Sequence, residues 1–176
     1  KAKMEVRLLN ILAEDVNYMS SPLRRSMLET IKGNKKGSME KFFTLYRADS
    51  YRCIQAYNLL AEYYYAENKK DKALEFAALG AITGFSKIVE ILYERNSSYE
   101  YSDLSTFMQE ASFYDDIVQW GSVNYAWKSF NILARFSIEA GYKQFAEELL
   151  KVIAQFSPET YWQRDAVLIL ENINQY

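Results

Sequence analysis

Hydrophobic residues recur every three or four positions along almost the whole chain. Near the N-terminus, Val6, Leu9, Ala13 and Val16 follow this spacing, which places them on one face of an α-helix. Even the aromatic run 63–65 falls within a helical period, and we identify no strand. The pattern therefore predicts an all-α fold, with helices over 4–18, 21–32, 38–46, 49–67, 71–82, 85–95, 102–118, 123–139, 143–156 and 159–173.

Polar and turn-forming residues separate these segments. Ser21, Ser102, Ser122 and Ser157 precede helical patterns, and their hydroxyls are predicted to cap the helices that follow. The glycine- and lysine-rich stretch 32–37 is the clearest loop in the chain. Short turns between helices predict antiparallel helix pairs.

Two of these pairs share one spacing of aromatic and small residues. Each has an aromatic residue, Leu three positions later, Ala four positions later and a second Ala twelve positions after the first. These positions are Tyr57, Leu60, Ala61 and Ala73 in the first pair, and Phe130, Leu133, Ala134 and Ala146 in the second. The spacing predicts two helix–turn–helix hairpins whose arms cross at small side chains.

The shared pattern resembles the tetratricopeptide repeat (TPR), a hairpin of 34 residues. The two units span 54–87 and 127–160, and Pro158 stands where the repeat usually ends. Ala77 departs from the pattern, which usually has a bulky residue there, and Ser137 replaces the usual Tyr. A degenerate repeat over 88–126, with extra residues near 96–100, is predicted between the two units.

The resemblance implies a single domain, 1–176, built as a TPR-like right-handed superhelix of nine or ten helices. One hairpin cannot bury its apolar face alone, so neighbouring hairpins stack. The N-terminal helices in 1–47 would close one end, and the capping helix 159–173 would close the other. An unrelated helical bundle is the alternative fold.

TPR domains commonly hold a peptide in a concave groove lined by the first helix of each hairpin. The resemblance places six residues on this face: Asn58, Glu62, Tyr65, Lys128, Asn131 and Arg135. An Asn amide can pair with a peptide backbone through one donor and one acceptor. Ile132 stands where TPR clamps for a C-terminal carboxylate have a second cation. We expect replacement of both Asn131 and Arg135 by Ala to abolish partner capture.

The composition excludes several kinds of catalysis. The chain has no His and one Cys, which rules out His-dependent nucleophilic catalysis, His-ligated zinc and multi-thiolate metal sites. Cys53 has no His or dedicated base nearby in sequence and is predicted to be a small buried residue. We therefore expect a non-enzymatic protein with no catalytic residues, no cofactor and no metal site.

Charge narrows the choice of partners. The net charge is −2, which argues against nucleic-acid binding. It is uneven, because residues 1–47 hold ten Lys and Arg against five Asp and Glu, whereas the remainder is acidic. The predicted function is a protein–protein interaction scaffold that binds a peptide or a partner helix. The alternatives are a helical receptor for a small ligand and a self-assembling structural subunit, for which a homo-oligomer is expected.

The sequence fits more than one cellular location. We expect no transmembrane segment, since no apolar run approaches the roughly 20 residues that span a bilayer. The chain opens with Lys-Ala-Lys rather than Met, as expected of a trimmed or processed form. A cytoplasmic location and, after removal of an export signal, a periplasmic or other extracytoplasmic one both fit.

Overall fold

The computed structural model describes residues 1–176 and contains eleven α-helices, one short 3-10 helix and no strand, which confirms the all-α prediction. The helices are α1 (Ala2–Leu12), α2 (Val16–Met19), α3 (Ser21–Gly33), α4 (Ser38–Leu45), α5 (Ile54–Ala66), α6 (Lys70–Arg95), α7 (Leu104–Ser112), α8 (Asp115–Val123), α9 (Ala126–Glu139), α10 (Lys143–Phe156) and α11 (Thr160–Glu171), with the 3-10 helix at Ile173–Gln175.

One long helix replaces two predicted ones. α6 continues from Lys70 to Arg95, although the sequence pattern predicts separate helices over 71–82 and 85–95. Thr83 and Gly84 are weak helix formers, but both are buried. The Thr83 hydroxyl donates to the Leu79 carbonyl oxygen at 2.6 Å, within the same helix. Packing around this stretch outweighs its weak local propensity.

Two predicted helices are instead broken. The segment 4–18 divides into α1 and α2, because the buried Asp15 carboxylate accepts the backbone N–H groups of Asn17 and Tyr18 and starts a new helix. The segment 102–118 divides at residues 113–114, between α7 and α8. Similarly, α5 begins at Ile54 rather than near residue 49.

None of the four predicted serine caps forms: neighbouring side chains cap α3 and α7, whereas α9 and α11, predicted to follow Ser122 and Ser157, have no side-chain cap. Ser20 rather than Ser21 caps α3, where its hydroxyl accepts the Leu23 N–H. Asp103 caps α7, where its carboxylate accepts the Thr106 N–H at 2.8 Å. A carboxylate forms stronger hydrogen bonds than a hydroxyl, which favours Asp103 over the adjacent serine. α9 begins after Tyr125, whose φ is 62°, rather than near Ser122.

The two predicted hairpins are formed by α5 with α6 and by α9 with α10. Tight turns join the arms, through Asn68 at φ 58° and Gly141 at φ 96°. α9 packs directly on α6, and α11 packs on α10 in the same order. The predicted degenerate unit, 88–126, starts inside α6, and its short helices α7 and α8 pack beside the two hairpins.

Small residues lie buried in both hairpins. The four alanines of the shared spacing, Ala61, Ala73, Ala134 and Ala146, are at most 1% exposed. Two glycines of α6 permit equally close contacts. A Cβ on Gly84 would lie 2.8 Å from the Ala126 Cβ, and one on Gly80 would lie 2.7 Å from the Asn58 side-chain oxygen. Both distances are shorter than normal packing allows, so glycine is needed where α5 and α9 meet α6.

α6 is also long and apolar enough to cross a membrane. Its most hydrophobic 18-residue window has a mean hydropathy of 1.4, and 72% of that window is buried inside the protein. The core helix of a soluble protein and a membrane-crossing helix share this composition. The sequence predicts no transmembrane segment because no apolar run is long enough, but α6 meets the length and hydropathy of such a segment.

Replacement of Gly121 by Ala is expected to lower the free energy of unfolding by about 1–3 kcal/mol. A Cβ on Gly121 would lie within 3.0 Å of three atoms of the Trp127 indole. The indole cannot easily move, because Trp127 is buried and its Nε1–H donates to the Val118 carbonyl oxygen at 3.0 Å. Urea denaturation followed by circular dichroism measures the change.

The matched control is Gly33→Ala. Gly33 is the last residue of α3, and a Cβ there would meet no atom within 4 Å. Alanine loses less backbone entropy on folding than glycine does, so this control should unfold at the same or slightly higher urea concentration. Equal stability of Gly121→Ala and wild type would mean that the indole does not pack against this glycine.

Candidate functional site

Helices α5, α9 and α11 form the walls of a cavity of about 400 Å³. α5 and α9 are the first helices of the two hairpins, and α11 follows the second hairpin. We call this cavity the groove; it is lined by Glu62, Tyr65, Lys128, Asn131, Ile132, Arg135, Phe136, Tyr161, Trp162 and Asp165. Its volume is within the usual range of ligand sites.

Five of the six predicted groove residues line this cavity: Glu62, Tyr65, Lys128, Asn131 and Arg135. Asn58 does not. It is 2% exposed, its Nδ2 donates to the Tyr125 carbonyl oxygen at 3.3 Å, and its Oδ1 accepts the Ser129 hydroxyl at 2.9 Å. Asn58 therefore joins α5 to α9 and lies outside the groove.

Three lining residues from α11 are absent from the sequence prediction, which assigns this helix a capping role. They are Tyr161, Trp162 and Asp165. Two of them could have been predicted from the repeat. Trp162 and Asp165 lie 34 residues, one repeat length, after Lys128 and Asn131. In the predicted repeat, α11 would be the first helix of a further unit.

Asp165 is the centre of the polar contacts. Its carboxylate accepts the Asn131 Nδ2 at 2.8 Å and the Arg135 Nη2 at 2.7 and 2.8 Å. These contacts connect α9 to α11. The side chains of Arg135 and Asp165 are 40% and 20% exposed, so solvent screens their ion pair. The Asn131 side-chain oxygen accepts no hydrogen bond from the chain.

A second ion pair connects α9 to α5. The Lys128 ammonium lies 3.1 Å from the Glu62 carboxylate, and both side chains are partly exposed. An ion pair with this exposure contributes about 0–1 kcal/mol to stability. The groove thus contains two cations and two anions, paired across neighbouring helices, and has no net charge.

Aromatic rings provide most of the apolar surface. Tyr65 stacks on Phe136 with a ring separation of 4.4 Å and an interplanar angle of 1°. Burial, followed by the nearby Glu139 carboxylate, raises the pKa of Tyr65. Tyr161 and Trp162 pack edge to face at 4.6 Å, and Tyr161 is 67% exposed. An exposed ring beside a cavity can bury a large area on binding with little loss of rotamer entropy.

The single thiol lies outside the groove. Burial and a hydrogen bond to Asp15 raise the pKa of Cys53 to about 11, which keeps the thiol protonated at neutral pH. A protonated thiol is a poor nucleophile. No three His, Cys, Asp or Glu side chains lie close enough together to hold a metal ion.

The chain is similar to a protein of Treponema pallidum (strain Nichols) described as an uncharacterized protein. The two are 26% identical over 166 residues, which is 92% of this chain and 44% of the relative. The chain thus spans less than half the length of that relative. No known protein-family profile matches the sequence, and no solved structure matches the chain.

Proposed function

We propose that the protein is a TPR-like interaction scaffold that holds an extended peptide or a partner helix in the groove. The observation that carries this proposal is the convergence of three equivalent helix faces on one cavity. Five of the lining residues stand at positions that the repeat pattern assigns to ligand contact. The direct packing of α9 on α6 and of α11 on α10 also supports a repeating, superhelical arrangement.

The chemistry of the lining suits a peptide. Aromatic rings offer flat apolar surfaces for side chains. The Asn131 side-chain oxygen has no partner in the chain and lines the groove, although the residue is only 2% exposed, so a peptide N–H that reaches the floor of the groove can donate to it. The charged residues of the groove already pair with each other. A bound peptide therefore gains mainly from apolar contact and backbone hydrogen bonds, with weak selection for net charge.

Selection from a displayed library of random peptides tests the proposal. We expect peptides with aromatic or aliphatic anchors to be enriched and to bind in the micromolar range. Tyr161→Ser should weaken the selected peptides about tenfold or more, because it removes an exposed aromatic contact. Tyr161 is mostly exposed, so this variant should unfold at the wild-type temperature.

Phe113→Ser is the matched control. Phe113 is also a large exposed aromatic residue, at 80% exposure, but it lies outside the groove, and its replacement should leave peptide affinity unchanged. The double variant Asn131→Ala, Arg135→Ala should also lose binding, although it leaves Asp165 without its partners, so its helical content must be measured. Equal binding by wild type and Tyr161→Ser, or failure of any peptide to be enriched, would contradict the proposal.

A further inference from the structure

A second cavity, of about 310 Å³, lies on a different part of the molecule from the groove. It is enclosed by the segment after α4, the C-terminal half of α6 and the loop 96–103. Apolar and aromatic side chains dominate its lining, which includes Tyr51, Val89, Tyr93, Tyr99 and Tyr101. We call it the tyrosine cavity. Its lining provides flat surfaces on several sides, as an aromatic ligand requires.

Arg47 lies in this cavity and has no carboxylate partner. Arg24, Arg95 and Arg135 each form an ion pair, whereas no acidic oxygen lies within 4.0 Å of Arg47. The Arg47 guanidinium instead packs over the rings of Phe85 and Tyr101, at 4.8 and 5.5 Å from their centres. These rings hold the cation in a fixed place.

The hydrogen bonds of Arg47 leave one edge of the guanidinium unused. Nη1 donates to the carbonyl oxygens of Phe43 and Tyr46, whereas Nε and Nη2 donate to no group of the chain. Together, Nε–H and Nη2–H form the edge that binds a carboxylate with two parallel hydrogen bonds. Arg47 lines the cavity and is exposed as a whole residue.

The acidic residues nearest the cavity have other partners. Glu40 accepts the Tyr101 hydroxyl at 2.7 Å and the Leu104 N–H at 3.0 Å. Glu90 lines the cavity itself and pairs with Lys87 at 2.8 Å. The Arg47 charge is therefore not neutralised by the protein. Although the residue is exposed as a whole, partial burial of the guanidinium lowers its pKa. In addition, the Tyr99 hydroxyl is buried without a hydrogen-bond partner.

We propose that the tyrosine cavity binds a carboxylate carried on an aromatic body, with Arg47 as its anion-binding residue. A single carboxylate neutralises the one unpaired cation. A doubly charged phosphate fits less well, because Glu90 lines the cavity and Glu40 and Asp103, which contact the adjoining segment 101–106, add further negative charge nearby. The aromatic acid can be a free small molecule or the C-terminal residue of a peptide. The site is independent of the groove and of its proposed function.

Titration of the whole protein with three probes, followed by calorimetry and two-dimensional NMR, tests this site. The probes are 3-phenylpropionate, its uncharged amide, and acetyl-glycyl-phenylalanine with a free C-terminus. We expect at least one acid to bind with a dissociation constant of about 1 mM or tighter and to shift backbone signals around Arg47 and Tyr99. The amide should bind about tenfold more weakly or worse. Tighter binding by one acid identifies the source of the carboxylate.

Variants at Arg47 provide the second arm of the test. Arg47→Gln should weaken binding of the acid about tenfold or more. Arg47→Lys should have an affinity between those of Arg47→Gln and the wild type, because lysine keeps the charge but cannot form two parallel hydrogen bonds to a carboxylate. Arg25→Gln removes an exposed arginine elsewhere and should bind normally. The proposal is overturned if neither acid saturates the protein, if acid and amide bind equally, or if Arg47→Gln, confirmed as folded, binds like the wild type.

Discussion

Replacement of Ala134 by Trp is expected to lower the free energy of unfolding by about 1–3 kcal/mol or more. Ala134 is fully buried in α9, which packs against α6 on one side and α10 on the other. An indole cannot fit there unless one of these helices moves away. Thermal unfolding followed by circular dichroism at 222 nm measures the loss.

Ala66→Trp is the control for this substitution. Ala66 is the last residue of α5 and is exposed, so the same change of side chain there should leave the melting temperature nearly unchanged. A normal melting temperature for Ala134→Trp would show that α9 does not pack tightly at this residue, and would count against two stacked hairpins.

Replacement of Asp15 by Ala should cost about 2–4 kcal/mol of stability. Asp15 is 5% exposed, and its Oδ1 accepts the N–H groups of Asn17 and Tyr18 and the Tyr57 hydroxyl, the last at 2.6 Å. Alanine removes the cap of α2 and leaves the Tyr57 hydroxyl buried without a partner. Urea denaturation measures the loss.

Two further variants separate the loss of the α2 cap from the loss of the hydrogen-bond partner of Tyr57. Asp15→Asn keeps an acceptor oxygen at the cap and should lose less than half as much stability as Asp15→Ala. Tyr57→Phe should be destabilising in the wild-type protein. In the Asp15→Ala background it should be nearly neutral or stabilising, because it removes a buried hydroxyl that has no hydrogen-bond partner there. Strictly additive losses in the double variant would argue against a direct Asp15–Tyr57 interaction.

The hairpins were predictable because small residues that recur at a fixed spacing mark the places where two helices cross. Ala61, Ala73, Ala134 and Ala146 recur at fixed intervals, and all four are buried. Helix breaks were less predictable, because they depend on contacts distant in sequence. Asp15 starts a helix while it accepts a hydrogen bond from Tyr57 on α5. Gly84 lies inside the continuous helix α6, in close contact with Ala126 of α9.

The groove was predictable to the extent that it follows the repeat. Each first helix presents one face, so residues such as Lys128 and Arg135 could be placed from their spacing. Asn58 has the same position in its own repeat as Asn131, and both residues are 2% exposed. Asn58 nevertheless lies outside the groove, where Ser129 and Tyr125 bind its amide. The tyrosine cavity follows no period, since Arg47, Val89 and Tyr99 come from unrelated segments that only folding brings together.

The pairing of Arg135 with Asp165 has a consequence for affinity. A charged group arriving on a ligand must displace a carboxylate or guanidinium that is already in place, so it exchanges one ion pair for another of similar strength. The net electrostatic gain is then a small difference between two comparable energies. Discrimination between ligands would depend on their shape, and moderate salt would change their residence times little.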